Sequence, residues 1–459
     1  MHDNYIFGAG QTNIHPLGLA LLAVIGIFIL VLPRKYVLLP FLLGAICFPF
    51  GEQVVVGGLH FPMLRLLLIV AWSRLILGII SGRDSVKLSA PIDKALILYF
   101  LVSAFAFILL WHSTGAFIDR MGFLYNAFGV YFLLRFQIRD WDDVSRTIRF
   151  FVFIAAVLTV FSVIEQVTAR NLFGLLGGSL VPAIREGRLR SQGPFETSIL
   201  MGTFGAILMP LSVFLWRRSK FTAAVGILCS TVITYASASS GPVLAYVAAL
   251  VALLLWPARN HMRKIRWGIV IGLLAIQSVM NHPIWWLISR INVVGGSTGW
   301  YRYFLIDLFI KNFGDWWLLG TKNSAQWAYG SWDAANMYVD AGINGGLFAL
   351  ILLIVVIVRG FRSLGIARKA AEENASANAK QLWVLGCALF STMMAFTDVA
   401  FFDQTVVLWY ALLAMIVVVV NVSAQETAVP VPSLTQFQKP KMKEARDPVG
   451  INVRHRRFS

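Results

Sequence analysis

The chain has 459 residues, of which 58% are apolar and 13% charged, and its mean hydropathy is +0.73. A soluble domain carries about 45–50% apolar and about 25% charged residues, so this composition excludes a soluble globular protein, a disordered chain, a collagen and a disulfide scaffold. Lys and Arg (39) outnumber Asp and Glu (22), giving a formal net charge of +17; in a membrane protein that is the charge cytoplasmic loops collect, and no nucleic-acid partner is expected.

The amino terminus, Met1 to Pro16, holds no Lys or Arg and lacks the basic region of a cleavable signal, so the first apolar run is expected to stay as a span. About 20 apolar residues cross a bilayer as a helix. On that measure the candidates are 17–32, 36–50, 62–80, 92–111, 119–134, 150–168, 197–216, 221–236, 241–256, 267–280, 337–358, 383–400 and 405–420. Two of them, 36–50 and 267–280, are short. The expected fold is all-α, a polytopic transmembrane protein of about 12–13 spans over residues 1–420 lying in the lipid bilayer. A disordered basic cytoplasmic tail over 421–459, attracted to anionic lipid, is expected to follow.

Alternate connections and the tail hold 27 of the 39 Lys and Arg, against nine on the opposite connections and three inside spans. By the positive-inside rule the richer set is cytoplasmic. The amino terminus is then outside and the carboxyl terminus inside. Two outside segments stand out, 169–195 with its arginines and 281–336, whose 56 residues hold seven of the fifteen Trp. Trp300 to Phe313 reads as a short helix with Asp307 and Lys311 as an i,i+4 pair. A loop this long in a compact protein usually carries function.

Arg185, Arg188 and Arg190 cluster where positive charge should be scarce. A guanidinium fork suits phosphate and pyrophosphate, which it grips in a bidentate way. Loop charges that are simply solvated are the alternative. Ser191-Gln192-Gly193-Pro194-Phe195 reads as a tight turn that would fix the arginines against a span. Further on, Gly299-Trp300-Tyr301-Arg302 sets another cation among aromatics, whose faces stack on sugar rings; an interfacial aromatic belt accounts for most of the tryptophans equally well. Asp333 and Asn336 lie three apart at a helix start, and Asp333 is either a cap or a general base for an acceptor hydroxyl. Ser237 to Pro242 joins two spans with small residues that permit close packing. Cys47, Cys229 and Cys387 sit in apolar runs and read as buried hydrophobes. The seven His are scattered, so neither a metal nor another cofactor is expected.

Taken in order, Arg190-x-x-Gly193-x-Phe195 before a span, the Ser240-Gly241 corner, Gly299-Trp300-x-Arg302, and Asp333-x-x-Asn336-x-Tyr338 before Gly-Gly resemble the O-antigen ligase and O-antigen polymerase superfamily. The resemblance covers roughly residues 60–420 in layout, through short and degenerate motifs. It implies a metal-independent, C-type glycosyltransferase-like enzyme in the bacterial inner membrane, working at the periplasmic face. Such an enzyme moves an oligosaccharide from an undecaprenyl-pyrophosphate donor onto a growing glycan (polymerase) or onto lipid A core (ligase), with a chain-length regulator as a further partner. Arg190 and Arg302 would stabilise the pyrophosphate leaving group and Asp333 would act as base. Arg185, Arg188, Gly193, Phe195, Trp300, Asn336 and Tyr338 would bind substrate. One departure is plain. The ligase branch resembles a His-Asn pair at this point, whereas Ala335 precedes Asn336 here, which favours the polymerase. A transporter of lipid-linked glycan is the alternative of another class, although only Arg74 lies well inside a span.

Overall fold

Long apolar runs with few charges fold as helices in a bilayer because only a helix satisfies its own backbone groups there. The computed structural model of the protein describes residues 12–49, 51–82, 90–290, 299–328, 330–331 and 334–428. In its first half the helices are α1 (Pro16–Val31), α2 (Leu38–Cys47), α3 (Met63–Ile80), α4 (Pro91–Trp111), α5 (Thr114–Gln137) and α6 (Trp141–Thr168). There follow α7 (Ser198–Phe214), α8 (Lys220–Ala236), α9 (Ser240–Leu254), α10 (Met262–Val279), α11 (Gly299–Lys311), α12 (Phe313–Trp316), α13 (Met337–Glu373), α14 (Ala379–Phe396) and α15 (Gln404–Ala428). The protein is therefore an all-α, multi-pass membrane protein.

Each apolar run in the sequence falls on a helix, but not each is a long span. Among the described residues six helices are long and apolar enough to cross a membrane, or seven if Ser240–Leu254 and Trp256–Val279, bent by 80°, form one span. The expected 12–13 is corrected by length. The ten residues of α2 rise only about 15 Å, half the thickness of a hydrocarbon core. At the carboxyl end the correction runs the other way, since α15 continues to Ala428, into the stretch expected to be disordered; 429–459 lies outside the described residues.

Helix α7 is the hub. Nearly all of its side chains are buried, and it packs against α8, α9 and α14. Small residues let the backbones approach: at Gly202 a Cβ would run into Ser237, and at Gly205 it would stand 2.8 Å from Thr234 Oγ1. Outward-facing apolar side chains such as Leu77, Phe105 and Val160 are exposed, as lipid-facing positions would be.

Among the described residues the strands form two hairpins. β1 (Gln53–Val56) pairs with β2 (Leu59–Pro62). The second joins β3 (Ala183–Arg185) to β4 (Arg188–Arg190), with Arg185 opposite Arg188. Its turn residues, Glu186 and Gly187, have φ of 49° and 73°, as a two-residue hairpin turn requires.

The expected continuous span 337–358 is broken. Gly346 has φ 70° and ψ −174°, and a Cβ there would collide with the Leu318 carbonyl. The long connection enters this break, with Leu347 N donating to Trp317 O at 2.8 Å and Thr321 N to Ile343 O at 2.9 Å. Unwound backbone at this depth is tolerated where protein supplies its partners. The first turns of α13 are thereby freed to stand at the end of the bundle, beside the loop between α14 and α15.

Candidate active site

The arginine hairpin is anchored from two helices, α6 and α8. Gln166 Nε2 donates to Leu189 O (3.2 Å), Ser191 Oγ (3.0 Å) and Ala236 O (2.9 Å), and Ser191 N donates to Ala236 O at 3.0 Å. The next two amides, of Gln192 and Gly193, each reach one oxygen of the fully buried Glu165 at 3.1 Å. Gly193 takes φ +54°, a conformation that favours glycine. Asn171 Nδ2 donates to Gly193 O at 2.7 Å. The turn expected at Ser191 to Phe195 is present, closed by Phe195 N to Gln192 O at 3.1 Å.

So held, Arg190 turns onto the corner between α8 and α9. Its Nη2 donates to Ser239 Oγ, and its Nε to Ser237 O at 3.4 Å. Arg302 arrives from α11 and forms an ion pair with Asp398, both side chains at or below one-tenth exposed. Asp398 lies just past the end of α14. The other side of its carboxylate meets Gly241, where a Cβ would overlap Asp398. The small-residue corner thus does two jobs: its serines hold Arg190, and its glycine makes room for the carboxylate that holds Arg302.

Burial lowers the pKa of Arg190, helped by the like charges of Arg185 and Arg302 and opposed by Asp398. Burial raises the pKa of Asp398 against the pull of Arg302 and then Arg190. Its Oδ2 has no hydrogen-bond donor among the described residues. Two guanidiniums and one carboxylate act on Arg190, a balance that an arriving anion would improve.

The other expected site residues divide. Arg185 shares the hairpin and acts electrostatically on Arg190. Arg188 stands exposed on the hairpin. Trp300 is exposed and stacked on Phe304 with ring centroids 5.1 Å apart, so it presents an aromatic face one helical residue pair before buried Arg302. Phe195, Asn336 and Tyr338, also expected to touch substrate, are each engaged within the protein. Phe195 is 2% exposed and packs on Phe204. Asn336 is the cap of α13, accepting from Tyr338 N (2.9 Å) and Val339 N (3.2 Å) and donating to Thr397 O (3.2 Å). Tyr338 donates its hydroxyl to Met393 O at 3.2 Å. These residues, with Gly193, form the frame. Asn336 thus caps α13, and Asp333, read as either a cap or a general base, lies outside the described residues.

Arg74 is also explained. It donates to the carbonyls of Ile29 and Leu32 at the end of α1, satisfying orphan carbonyls of a helix terminus.

A separate cavity of about 470 Å³ is lined among others by Glu52, Tyr99, Arg120, Asp340, Asp403 and Tyr410. Sequence reasoning assigned none of these, nor a role to Asp398. The signal available was the pair of acids in Thr397-Asp398-Val399-Ala400-Phe401-Phe402-Asp403, polar groups at span ends where hydrophobicity alone asks for none.

No family model and no curated protein matches the chain.

Proposed function

We propose that the protein is a polyprenyl-pyrophosphate-dependent glycosyltransferase that polymerises undecaprenyl-pyrophosphate-linked oligosaccharide repeat units. One observation carries the reading: Arg190 and Arg302, far apart in the chain, converge on Asp398 and the Ser239–Gly241 corner at one end of the bundle. Transfer breaks the bond between the anomeric carbon and the pyrophosphate oxygen, and negative charge develops on the departing pyrophosphate. Guanidiniums fixed in a partly dry site stabilise that charge without having to reorganise. Asp398 orients Arg302, and the Ser237 carbonyl and Ser239 hydroxyl orient Arg190. Arg185 adds positive charge at the rim, and exposed Trp300 offers a face for a sugar ring. The acceptor hydroxyl attacks the anomeric carbon from the opposite side.

The charge distribution supports a place in the bacterial inner membrane with this end periplasmic and the carboxyl terminus cytoplasmic. The partners of this reading are the lipid-linked donor, a glycan acceptor, and a chain-length regulator; the chemistry needs no metal and no nucleotide sugar.

The test uses purified protein in lipid vesicles with undecaprenyl-pyrophosphate-linked oligosaccharide from the native host, the products resolved on a gel. A ladder of lengths is the expected result. A single transfer that depends on added lipid A core would make the protein a ligase. Unchanged substrate, with active controls, would overturn glycosyl transfer and bring lipid-linked glycan transport forward.

A further inference from the structure

Asp398 and Asp403 stand at the two ends of one short loop between α14 and α15, and they face different spaces. Asp398 closes on Arg302, while Asp403 lines the cavity of about 470 Å³. Gln404, the next residue, pins this junction by donating to Pro194 O and Phe48 O, both at 3.0 Å. Pro194 belongs to the turn that carries Arg190, and Phe48 to the cavity wall. At the loop's other end, Asn336 ties Thr397 to the start of α13, whose Met337 and Asp340 also line the cavity. The arginine pair and the cavity are therefore built on shared segments, with Asp403 on the loop that joins them.

We propose that this cavity receives the acceptor glycan and that the Asp403 carboxylate is the base that takes the proton from its attacking hydroxyl. The inference rests on the glycosyl-transfer reading. In the step it describes, the acceptor O–H gives its proton to Asp403 and its oxygen forms the new bond to the anomeric carbon. The anomeric carbon–oxygen bond to the pyrophosphate breaks, and its electron pair leaves on the pyrophosphate beside Arg190 and Arg302. Atoms and charge balance without a further reactant.

Asp403 suits the role better than its neighbours. Among the described residues no side chain donates to it, whereas Glu52 accepts from His15 N at 2.9 Å and Asp340 accepts from Asn344 Nδ2 at 2.8 Å. Burial, with the like charge of Glu196, pushes its carboxyl up to about 7. A base poised near the working pH combines a useful ionised fraction with a strong pull on the proton. From the packed elements Glu52, Tyr99, Arg120, Asp340 and Tyr410 face the same cavity. Of these Arg120 is cationic, and it is paired with Asp119 at 2.9 Å. The cavity thus offers a sugar both hydrogen-bond acceptors and aromatic edges.

The experiment compares wild type, Asp403→Asn, Asp403→Glu and Asp333→Asn in vesicles, measuring transfer from host-derived lipid-linked oligosaccharide over about pH 6 to 8, and separately the binding of undecaprenyl pyrophosphate alone. Asp403→Asn is expected to cut transfer by about 100-fold or more and to abolish the rise of rate with pH, while pyrophosphate binding stays within about twofold. Asp403→Glu keeps part of the rate with a displaced pH profile. Thermal unfolding supplies a readout that does not depend on turnover. The folded carboxyl at about 7 lies above its unfolded value of about 3.9, so the native state holds the proton more tightly and stability falls as pH rises between these values. Asp403→Asn should lose that slope and melt higher than wild type near pH 8. A more stable yet inactive variant marks a functional group; a structural one would not behave so. Transfer within about threefold of wild type in Asp403→Asn, or loss confined to Asp333→Asn, would overturn the assignment while leaving glycosyl transfer standing. Wild type that neither binds undecaprenyl pyrophosphate nor transfers glycan would overturn both.

Discussion

The two ends of the helix bundle both gather arginines and use them differently. At the end that holds Arg34, Arg218 and Arg259, cations are matched by acids and carbonyls that stitch helices together. Asp143 pairs with Arg34 at 2.8 Å and with Arg146. Arg218 pairs with Asp142. Glu372 joins Arg259 at 2.6 Å and Arg368 at 2.8 Å. At the opposite end, among the described residues, Arg190 donates to a serine hydroxyl and a carbonyl, and Arg302 pairs with the one buried carboxylate that also acts on Arg190. The lesson concerns compensation. Where each cation is met directly by an acid, even a buried one, the pair fastens the structure; where guanidiniums are drawn together in partial burial with one acid between them, positive charge is left under-compensated.

The strongest way to break this contrast is to unpair the buried end. Asp398→Ala would leave Arg302 buried without its partner, at a cost of about 3–5 kcal/mol in folding stability, read by thermal unfolding in detergent. Arg302→Ala and Arg190→Ala should each lower transfer by about 100-fold to 1,000-fold, with Lys a poor substitute because it lacks the planar fork. Near-normal products from both alanine variants would remove the anion-site half of the comparison.

A finer test is Gly241→Ala, whose methyl would overlap the Asp398 carboxylate. The expected loss is about 1–3 kcal/mol, together with much of the transfer activity. Asn336→Ala removes the cap of α13 and its tie to Thr397, and should cost about 1 kcal/mol. Asn336→Asp would keep the cap but not the donor to Thr397, so comparing the two separates helix capping from loop positioning.

The smallest effects belong to the other end. Arg218→Ala breaks an ion pair whose side chains are 36% and 66% exposed, so the change in stability should stay below about 1 kcal/mol with the product ladder unaltered. A large loss of transfer in that variant would show that the two ends are coupled and would undo the contrast drawn between them.

Much of this was legible in the sequence. Hydrophobic runs located the helices because burial in lipid demands long apolar segments and tolerates little else. Arg190 and Arg302 were visible because they break the charge asymmetry of the connections, and the turn at Gly193 because few residues but glycine take that backbone shape readily. Span length was less legible, since a run such as 36–50 is apolar enough to cross yet folds as the ten residues of α2. The break at Gly346 was hidden for a related reason: a Gly-Gly pair in an apolar run reads as helix until another backbone is found lying in the gap.

The sequence by itself determined that this is a helical membrane protein with cations concentrated in a few connections, because composition and charge are local properties of the chain. Only the tertiary structure decided which of those cations meet. It chose Asp398 as the partner of Arg302, set Gly241 behind it, tied Asn336 to Thr397, and placed Asp403 on a cavity. Those outcomes depend on contacts between segments distant in the chain, fixed by helix packing and by which backbones can approach closely, and no local pattern encodes them.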